Sequence, residues 1–267
     1  QTVQVVDSEA PAISCPADIT GAAPDAGKCY ATGISLGTPV TTDNCGVATV
    51  TNNAPAQYPI GTTVVTWTVT DNSGLTASCN QNVTVVDSEL PSITCPAPIM
   101  DYMADINQCY ASGVSLGLPT ASDNCGVAGI TNDAPALFPV GTTTITWTVT
   151  DVNGSTNTCA QTVEIIDTQS PQIICPGNMT INSTPGMCGA IAPWAAPFAT
   201  DNCPGLVVTS NYYPGDALPL GVTTVKYLAT DASGNTATCS FKATVKDVEA
   251  PTIVPLNGTF YLDATGS

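Results

Sequence analysis

The sequence predicts an all-β fold of tandem β-sandwich domains, and three observations lead to this prediction. The twelve cysteines form three sets of four with a period of 80 residues, and the sets begin at Cys15, Cys95 and Cys175. At the same period, apolar residues alternate with threonine, as expected for strands with one buried face. No segment has a convincing 3.6-residue period, and 22 prolines and 22 glycines would interrupt a helix.

The first half of each repeat carries the weaker strand signals. In the first repeat, short strands are predicted around residues 13–15, 29–36 and 47–52. The second half predicts a β-hairpin. Residues 61–71 alternate apolar side chains with threonines, and the turn formers Asp71 to Gly74 come next.

A last strand around residues 79–85 follows this turn. About seven short strands in each repeat favour immunoglobulin-like β-sandwich domains arranged end to end. Trp67 and Trp147 share the parity of their neighbouring valines, and Trp194 aligns with apolar positions of the other repeats. All three tryptophans are therefore expected in the core.

The charge balance argues against several function classes. The net charge is −17, with four lysines, no arginine and no histidine. Nucleic acids and anionic membrane surfaces would repel such a chain. Without histidine, the usual general base and the Ser-His and Cys-His pairs are missing, so we expect no enzyme. No apolar run approaches the roughly 20 residues that a membrane-spanning helix needs, so we expect no membrane insertion.

The repeat frame predicts the domain boundaries. Residues 1–6 match the last strand of a repeat in sequence, so they are expected to belong to a preceding repeat or to act as a donor strand. The expected ranges are 1–6 for that strand, 7–86, 87–166 and 167–246 for the three repeats, and 247–267 for the start of a following, divergent domain.

The order of short motifs resembles the hyalin-repeat (HYR) domain. In the first repeat the motifs are Cys15-Pro16, Asp43-Asn44-Cys45, Tyr58-Pro59-Ile60-Gly61, the turn from Asp71 to Gly74, and Cys79. The resemblance covers about residues 7–247. It implies an immunoglobulin-like sandwich of extracellular multidomain proteins, commonly linked to adhesion and found in long arrays on bacterial surfaces. It implies an interaction and spacer module without catalytic activity.

The cysteines predict disulfides rather than a metal site, because no Cys-x-x-Cys pair exists. Four cysteines allow three pairings. Parity favours joining the first strand to the last, which leaves the inner two as the second pair. That inner pair has a difficulty, because an immunoglobulin-like sandwich places its two cysteines at opposite poles. The expected bridges are Cys15–Cys79, Cys29–Cys45, Cys95–Cys159, Cys109–Cys125, Cys175–Cys239 and Cys188–Cys203.

Carboxylates also recur in each repeat, at the junction, in the Asp-Asn-Cys motif and at the hairpin turn. In an antiparallel sandwich these three places lie at the same pole, and several oxygen ligands are what Ca²⁺ requires. The expected calcium ligands are Asp7, Glu9, Asp43 and Asp71; Asp87, Glu89, Asp123 and Asp151; and Asp167, Asp201 and Asp231. Gln169 replaces the junction glutamate of the third set, so that site is expected to be weaker or absent. Turn formation and solubility are the alternative explanation of these acids.

The predicted function is that of a disulfide-stapled stalk or fibre segment, secreted or displayed at a cell surface. Its expected partners are neighbouring repeats or subunits of the same protein and cell-surface or matrix ligands. One alternative is a filament subunit that polymerises by strand addition through residues 1–6. Another is a lectin-like carbohydrate-binding module, which would need exposed aromatic residues at repeated positions.

Overall fold

The computed structural model describes residues 1–253 and Gly258, and eight β-strands fall in each of the three repeats. The first repeat contains β1 (Ala12–Ser14), β2 (Ile19–Ala22), β3 (Tyr30–Ala31), β4 (Val40–Thr42), β5 (Val47–Asn52), β6 (Tyr58–Pro59), β7 (Gly61–Asp71) and β8 (Thr76–Val85). The second contains β9 (Ser92–Thr94), β10 (Ile99–Met103), β11 (Tyr110–Ser112), β12 (Thr120–Ser122), β13 (Val127–Asn132), β14 (Leu137–Pro139), β15 (Gly141–Asp151) and β16 (Thr156–Ile166). The third contains β17 (Gln172–Ile174), β18 (Met179–Asn182), β19 (Gly189–Ile191), β20 (Phe198–Thr200), β21 (Val207–Ser210), β22 (Ala217–Pro219), β23 (Gly221–Thr230) and β24 (Thr236–Lys246).

Contacts between residues divide the chain into two compact units whose limits differ from those of the repeats. The first unit comprises residues 1–100, 115–135 and 143–163, and the second comprises 101–114, 136–142 and the residues from 164 onwards. The predicted domain boundaries therefore stay a prediction.

Each repeat has one sheet of four strands and two strand pairs. In the first repeat the sheet order is β2-β8-β7-β5, and the pairs are β1-β4 and β3-β6. The predicted hairpin is the centre of this sheet: β7 and β8 pair antiparallel, with Trp67 opposite Cys79. The sequence does not predict that β2 joins β8 in parallel, with Ile19 opposite Val83.

The core of the first repeat lies between the four-stranded sheet and the strand pairs. Val65 and Val83 from the sheet, and Ala31 and Tyr58 from the pair β3-β6, are buried together. This arrangement is the predicted immunoglobulin-like sandwich, although each repeat has eight strands instead of about seven. The third repeat has the same organisation around its own core.

The structure joins the outer cysteines of each repeat in the same way as the sequence argument does. Cys15–Cys79, Cys95–Cys159 and Cys175–Cys239 are bonded, with Cα–Cα distances of 5.7, 5.8 and 5.7 Å. Each bridge connects the residue after the first strand to the last strand, so it closes the sandwich.

The predicted pairs of inner cysteines are wrong. Instead of Cys29–Cys45, Cys109–Cys125 and Cys188–Cys203, the structure has Cys29–Cys125 and Cys109–Cys203, with Cα–Cα distances of 4.6 and 4.9 Å. Both bridges link one repeat to the next. Cys45 and Cys188 are free and exposed. The physical reason is that the two inner cysteines of one repeat lie at opposite ends of its sandwich. The loop that carries Cys29 instead lies beside the Asp-Asn-Cys loop of the following repeat.

Residues 1–6 and 247–253 belong to no strand of the structure. Within the predicted divergent domain at 247–267, only residues 247–253 and Gly258 are described, and the remainder lies outside the described residues. In the part of the chain that the structure describes, no helix is long and apolar enough to cross a membrane.

Candidate functional site

The hairpin turn after β7 buries a carboxylate with one unused oxygen. Asp71 is 2% exposed, and its Oδ1 accepts hydrogen bonds from the backbone N–H groups of Ser73 and Leu75, both at 2.8 Å. This bonding explains why aspartate suits the position, since it closes the turn. Its Oδ2 is buried and has no hydrogen-bond partner. Turn formation therefore explains the hydrogen bonds of Oδ1 but not the burial of Oδ2.

In the Asp-Asn-Cys loop, too, one carboxylate oxygen accepts a hydrogen bond and the other has no partner. Asp43 Oδ2 accepts a hydrogen bond from the backbone N–H of Cys45 at 2.8 Å, while Oδ1 is buried and unpartnered. The junction residue Asp7 completes the group, because one ligand atom from each of Asp7, Asp43 and Asp71 lies within 4.8 Å of the others. Three separate segments of the chain thus form one acidic cluster, as predicted.

The second cluster contains the equivalent residues of the next repeat. Ligand atoms of Asp87, Asp123 and Cys125 lie within 4.8 Å of one another, although the Cys125 sulfur is already used in the bridge to Cys29. Asp123 Oδ1 is buried without a partner. The predicted ligand Asp151 is not one of the three residues of this group, although it is 1% exposed and its Oδ2 is likewise unpartnered.

The third cluster has the same acidic loop but a different turn. Asp167 and Asp201 lie together with Cys203, and Asp167 Oδ2 and Asp201 Oδ1 are buried without partners. Asp231 differs from its equivalents, because both of its oxygens accept hydrogen bonds from Asn235, from the backbone N–H at 2.8 Å and from the side-chain amide at 2.9 Å.

The predicted junction glutamates do not belong to the clusters. Glu9 Oε2 instead accepts a hydrogen bond from Asn44 Nδ2 at 3.1 Å, and the side chain of Glu89 is exposed. The glutamine at the corresponding position, Gln169, contacts the preceding repeat: its Oε1 accepts from the backbone N–H of Asn107 at 2.7 Å, and its Nε2 donates to the carbonyl of Asp105 at 3.1 Å. Gln169 thus contributes two hydrogen bonds to the contact between the second and third repeats.

Sequence reasoning missed the role of the asparagine in the Asp-Asn-Cys motif. Asn124 Nδ2 donates to the carbonyl of Lys28 at 3.0 Å, and Asn202 Nδ2 donates to the carbonyl of Gln108 at 3.0 Å. Both carbonyls directly precede a bridging cysteine. Each inter-repeat disulfide is therefore accompanied by a hydrogen bond between the same two loops.

The clusters affect the titration of neighbouring groups. A hydrogen bond to Asp7, together with desolvation and the charges of Asp7, Asp43 and Asp71, raises the pKa of the Cys45 thiol. Burial would raise the pKa of Asp151, but the backbone N–H groups of Ser155 and Asn153 outweigh it and lower that pKa. Asp151 is therefore held as a carboxylate despite its burial.

The donor set fits a hard divalent cation. Buried carboxylate oxygens without partners carry a large desolvation cost unless a positive charge or a hydrogen bond compensates it. The first and third clusters each offer two such oxygens from different loops, and the second offers one, Asp123 Oδ1. Carboxylate oxygens converging from several loops are the ligands that Ca²⁺ takes, whereas the disulfide-bonded sulfurs of Cys125 and Cys203 cannot act as thiolate ligands.

The buried tryptophans match the prediction that they belong to the core. Trp67, Trp147 and Trp194 are between 5% and 8% exposed. Trp67 and Trp147 donate their indole N–H to the buried Gln81 and Gln161 at 3.1 and 3.0 Å. None of the three is available as a platform for a sugar ring.

The fold and the clusters define a class: tandem immunoglobulin-like repeats with disulfide-linked, oxygen-rich contacts between successive repeats. The chain belongs to the HYR domain family, whose sequence profile matches residues 6–85, 86–165 and 166–245.

Curated relatives agree with this assignment. The chain is 34% identical over 237 residues to hyalin of Strongylocentrotus purpuratus, which covers 82% of this chain and 20% of that protein. It is 34% identical over 230 residues to hyalin of Lytechinus variegatus, which covers 80% and 43%. A mouse protein named for its sushi, von Willebrand factor type A, EGF and pentraxin domains is 34% identical over 201 residues, or 70% and 5%. The chain thus spans less than half the length of these relatives.

Solved structures of cadherin ectodomains resemble the chain at a lower level. The protocadherin gamma B2 extracellular cadherin domains 1–5 have 13% identity and a TM-score of 0.34, covering 91% of this chain and 61% of that one. Drosophila N-cadherin EC1-4 has 10% identity and a TM-score of 0.34, covering 88% and 66%. These values are too low to carry detail from one structure to the other.

Proposed function

We propose that this chain is part of an extracellular, non-enzymatic structural and adhesion protein, in which calcium and disulfides fasten each HYR repeat to the next. Membership of the HYR family supports the extracellular setting, and so do five disulfides in the described residues. The role is mechanical: the repeats hold neighbouring parts of the protein, or a surface or matrix ligand, at a fixed spacing.

The observation that carries the calcium proposal is the set of buried carboxylate oxygens without partners. Asp71, Asp151 and Asp167 are each at most 5% exposed and each keep one such oxygen. A carboxylate that served only to close a turn or to improve solubility would have no reason to bury its second oxygen beside other acids, since like charges at short range repel. A bound cation removes both costs.

The three sites are proposed to differ in strength. In the first two repeats the hairpin aspartate keeps an unpartnered oxygen. In the third, Asn235 occupies both oxygens of Asp231, so the ion gains less there. The third site is therefore proposed to be the weakest, for a reason other than Gln169.

Substitution of the hairpin aspartate of the second cluster tests the proposal. In Asp151→Asn, the amide oxygen keeps the hydrogen bonds from Asn153 and Ser155, and the negative charge is removed. The wild type is expected to melt at a higher temperature in Ca²⁺ than in EDTA, because a site filled at 100 times its Kd adds about 2.7 kcal/mol. Asp151→Asn is expected to lose most of the gain from Ca²⁺ at that repeat.

A matched control lies in the same repeat. Asp133 is exposed and its Oδ1 accepts a hydrogen bond from the backbone N–H of Thr146 at 2.7 Å. Asn53 makes the same bond to Thr66 in the first repeat, also at 2.7 Å, so Asp133→Asn removes one charge and keeps the local structure. It should respond to Ca²⁺ like the wild type. A wild type that melts at the same temperature in Ca²⁺ and EDTA would contradict the calcium proposal.

Residues 1–6 favour a second candidate, polymerisation by strand addition. Val3 and Val5 are 87% and 91% exposed, whereas the equivalent Val83 and Val85 of β8 are buried. An unpaired segment with strand alternation is suited to join the edge of another sheet. The repeats at 7–246 already have their own last strands, so the acceptor would be another surface. Deleting residues 1–6 should then abolish assembly in sedimentation velocity, and unchanged assembly would exclude this candidate.

A further inference from the structure

The two inter-repeat bridges follow one rule. In each, a cysteine from the loop before the third strand of one repeat bonds the cysteine of the next repeat's Asp-Asn-Cys motif. Cys29 bonds Cys125 by this rule, and Cys109 bonds Cys203. Two inner cysteines remain. By this rule Cys45, in the Asp-Asn-Cys motif of the first repeat, would bond a cysteine of a repeat before it. Cys188, in the loop before the third strand of the third repeat, would bond the Asp-Asn-Cys motif of a repeat after it. Both are free and exposed.

The loop around Cys45 already has the geometry of a bonded motif. Asp43 accepts a hydrogen bond from the backbone N–H of Cys45 at 2.8 Å, and the equivalent bonds to Cys125 and Cys203 measure 2.8 and 2.9 Å. The hydrogen bond of the motif asparagine differs. Asn44 Nδ2 donates to Glu9 within its own repeat, whereas Asn124 donates to a backbone carbonyl of the preceding repeat.

The loop around Cys188 also matches its bonded equivalents. Thr184 N–H donates to Gly189 at 2.9 Å, as Asp105 N–H donates to Tyr110 at 2.8 Å in the loop of Cys109. The contact with the following junction is present too. Glu249 Oε2 accepts from the backbone N–H of Gly186 at 2.8 Å, as Gln169 Oε1 accepts from Asn107 at 2.7 Å.

We propose that Cys45 and Cys188 are complementary halves of this same bridge and bond to cysteines of neighbouring HYR repeats. Cys45 bonds a cysteine that, like Cys29, lies in the loop before the third strand of a repeat. Cys188 bonds a cysteine that, like Cys45, belongs to an Asp-Asn-Cys motif. In the bonded state Asn44 leaves Glu9 and donates to the carbonyl before the incoming cysteine. The neighbouring repeat belongs to a second copy of this chain or to a flanking segment of a longer protein, and both present the same thiol.

The chemistry is an oxidation of two thiols. Each thiol loses one proton and one electron, the two sulfurs form one S–S bond, and a disulfide oxidant such as oxidised glutathione is reduced to two thiols. The inference rests on the proposed structural role, because it extends the fastening between repeats beyond the three described here.

Two single variants test the complementarity. Cys45→Ser keeps only Cys188 open, and Cys188→Ser keeps only Cys45 open. Mixed in a buffer of reduced and oxidised glutathione, they are expected to form a Cys188–Cys45 heterodimer, seen by non-reducing intact mass, in at least tenfold excess over the homodimers. Asn44→Ala in the Cys188→Ser chain is expected to lower the heterodimer yield several-fold while the thiol stays accessible.

The outcomes separate this inference from the proposed function. Equal amounts of heterodimer and homodimers, or chains that end only as glutathione adducts, would overturn the inference. If the stabilisation by Ca²⁺ persists in those samples, the calcium proposal survives that failure. A peptide map of the protein from its source distinguishes the two origins: Cys45 bonded to Cys188 indicates a second copy, and Cys45 bonded to a foreign HYR peptide indicates a flanking repeat. Two alkylatable thiols there would also overturn the inference.

Discussion

At the scale of single residues, the core shows how the repeats solve one packing problem in two ways. In the first repeat, Gln81 is fully buried and accepts the indole N–H of Trp67, while its own amide donates to the carbonyls of Ala17 and Leu36 at 2.8 and 3.0 Å. One glutamine thus satisfies three otherwise unpaired groups between the sheet and the strands opposite it.

The third repeat replaces this network by an aromatic cluster. Phe241 and Tyr227 stand where the first repeat has Gln81 and Trp67. Trp194 packs edge-on against Phe241 at a ring-centroid distance of 5.5 Å and donates to the hydroxyl of Tyr227 at 2.8 Å. The glutamine and the tryptophan are thus exchanged together, which shows that the indole N–H must have a partner.

Removal of the glutamine amide is expected to be costly. Gln81→Ala leaves the Trp67 N–H and two carbonyls unpaired and opens a cavity, so the first repeat should lose about 3 kcal/mol. Native-state hydrogen exchange of the β7 and β8 amides measures the loss for this repeat. Asn80→Ala, at the exposed neighbouring position, is the control and should change stability by less than about 0.5 kcal/mol. A loss at Gln81 no larger than the control would contradict the network.

A second residue-scale prediction concerns acid stability. The backbone N–H and the side-chain amide of Asn82 donate to Asp18 and lower its pKa below the ordinary value of 3.8. A depressed pKa in the folded state adds stability above the unfolded pKa, and this contribution is lost as the pH falls through the folded pKa. The free energy of unfolding of the wild type should therefore decrease as the pH falls from the unfolded-state pKa of Asp18 through its folded-state pKa.

Asp18→Asn should remove this part of the pH dependence. Asparagine already occupies the equivalent position in the third repeat, where Asn178 Oδ1 accepts from the backbone N–H of Lys242 at 2.8 Å. Urea unfolding at a series of pH values between about 5 and 2 measures the difference. Parallel curves for the variant and the wild type would show that Asp18 contributes nothing to the acid sensitivity.

At the scale of secondary-structure elements, the sequence predicts best what local periodicity controls. β7 and β8 are long and alternate strictly, so their hairpin and the burial of Val65 and Trp67 follow from parity alone. β2 has four residues and pairs in parallel with β8, and its sequence carries no comparable pattern. Such short strands form because the sheet offers an edge.

The inner cysteines could not be paired from one repeat considered by itself. The sequence did signal that the inner pairing was doubtful, because Cys29 and Cys45 lie at opposite poles of one sandwich and could meet only if a strand were irregular. In the tandem arrangement, Cys125 of the next repeat bonds Cys29 instead. The meeting of the junction aspartate with the aspartate of the Asp-Asn-Cys motif was predictable, since their loops share a pole, but the hairpin aspartate joins them only in the first of the three groups. The unpartnered oxygens that distinguish an ion site from turn formers depend on hydrogen bonds that only the structure shows.

The outer bridge is expected to stabilise its own repeat strongly. Cys15 and Cys79 are 64 residues apart in sequence, so the bridge restricts a long loop of the unfolded chain and contributes about 4 kcal/mol. The double variant Cys15→Ala/Cys79→Ala should lower the opening free energy of β7 and β8 amides by that amount in native-state hydrogen exchange. Cys45→Ser, which breaks no bond, is the control. Equal protection in both variants would contradict this role.

At the scale of the whole molecule, two kinds of disulfide serve two purposes. The outer bridges close single sandwiches, and Cys29–Cys125 and Cys109–Cys203 add a covalent link between successive repeats besides the polypeptide chain. An acidic cluster lies beside each of these linking bridges, since Asp123 and Asp201 bond the backbone N–H of the bridged cysteines. A protein that bears load or spans a distance benefits from such doubled fastening.

The connectivity of the inner cysteines decides whether disulfides join successive repeats. Digestion before aspartate residues, without reduction, places five of the six inner cysteines in peptides of their own: 25–42 for Cys29, 43–70 for Cys45, 105–122 for Cys109, 123–132 for Cys125 and 201–215 for Cys203. Mass spectrometry should find peptide 25–42 bonded to 123–132, and peptide 105–122 bonded to 201–215. Peptide 25–42 bonded to 43–70, with 105–122 bonded to 123–132, would show that the repeats are closed individually and would contradict the account.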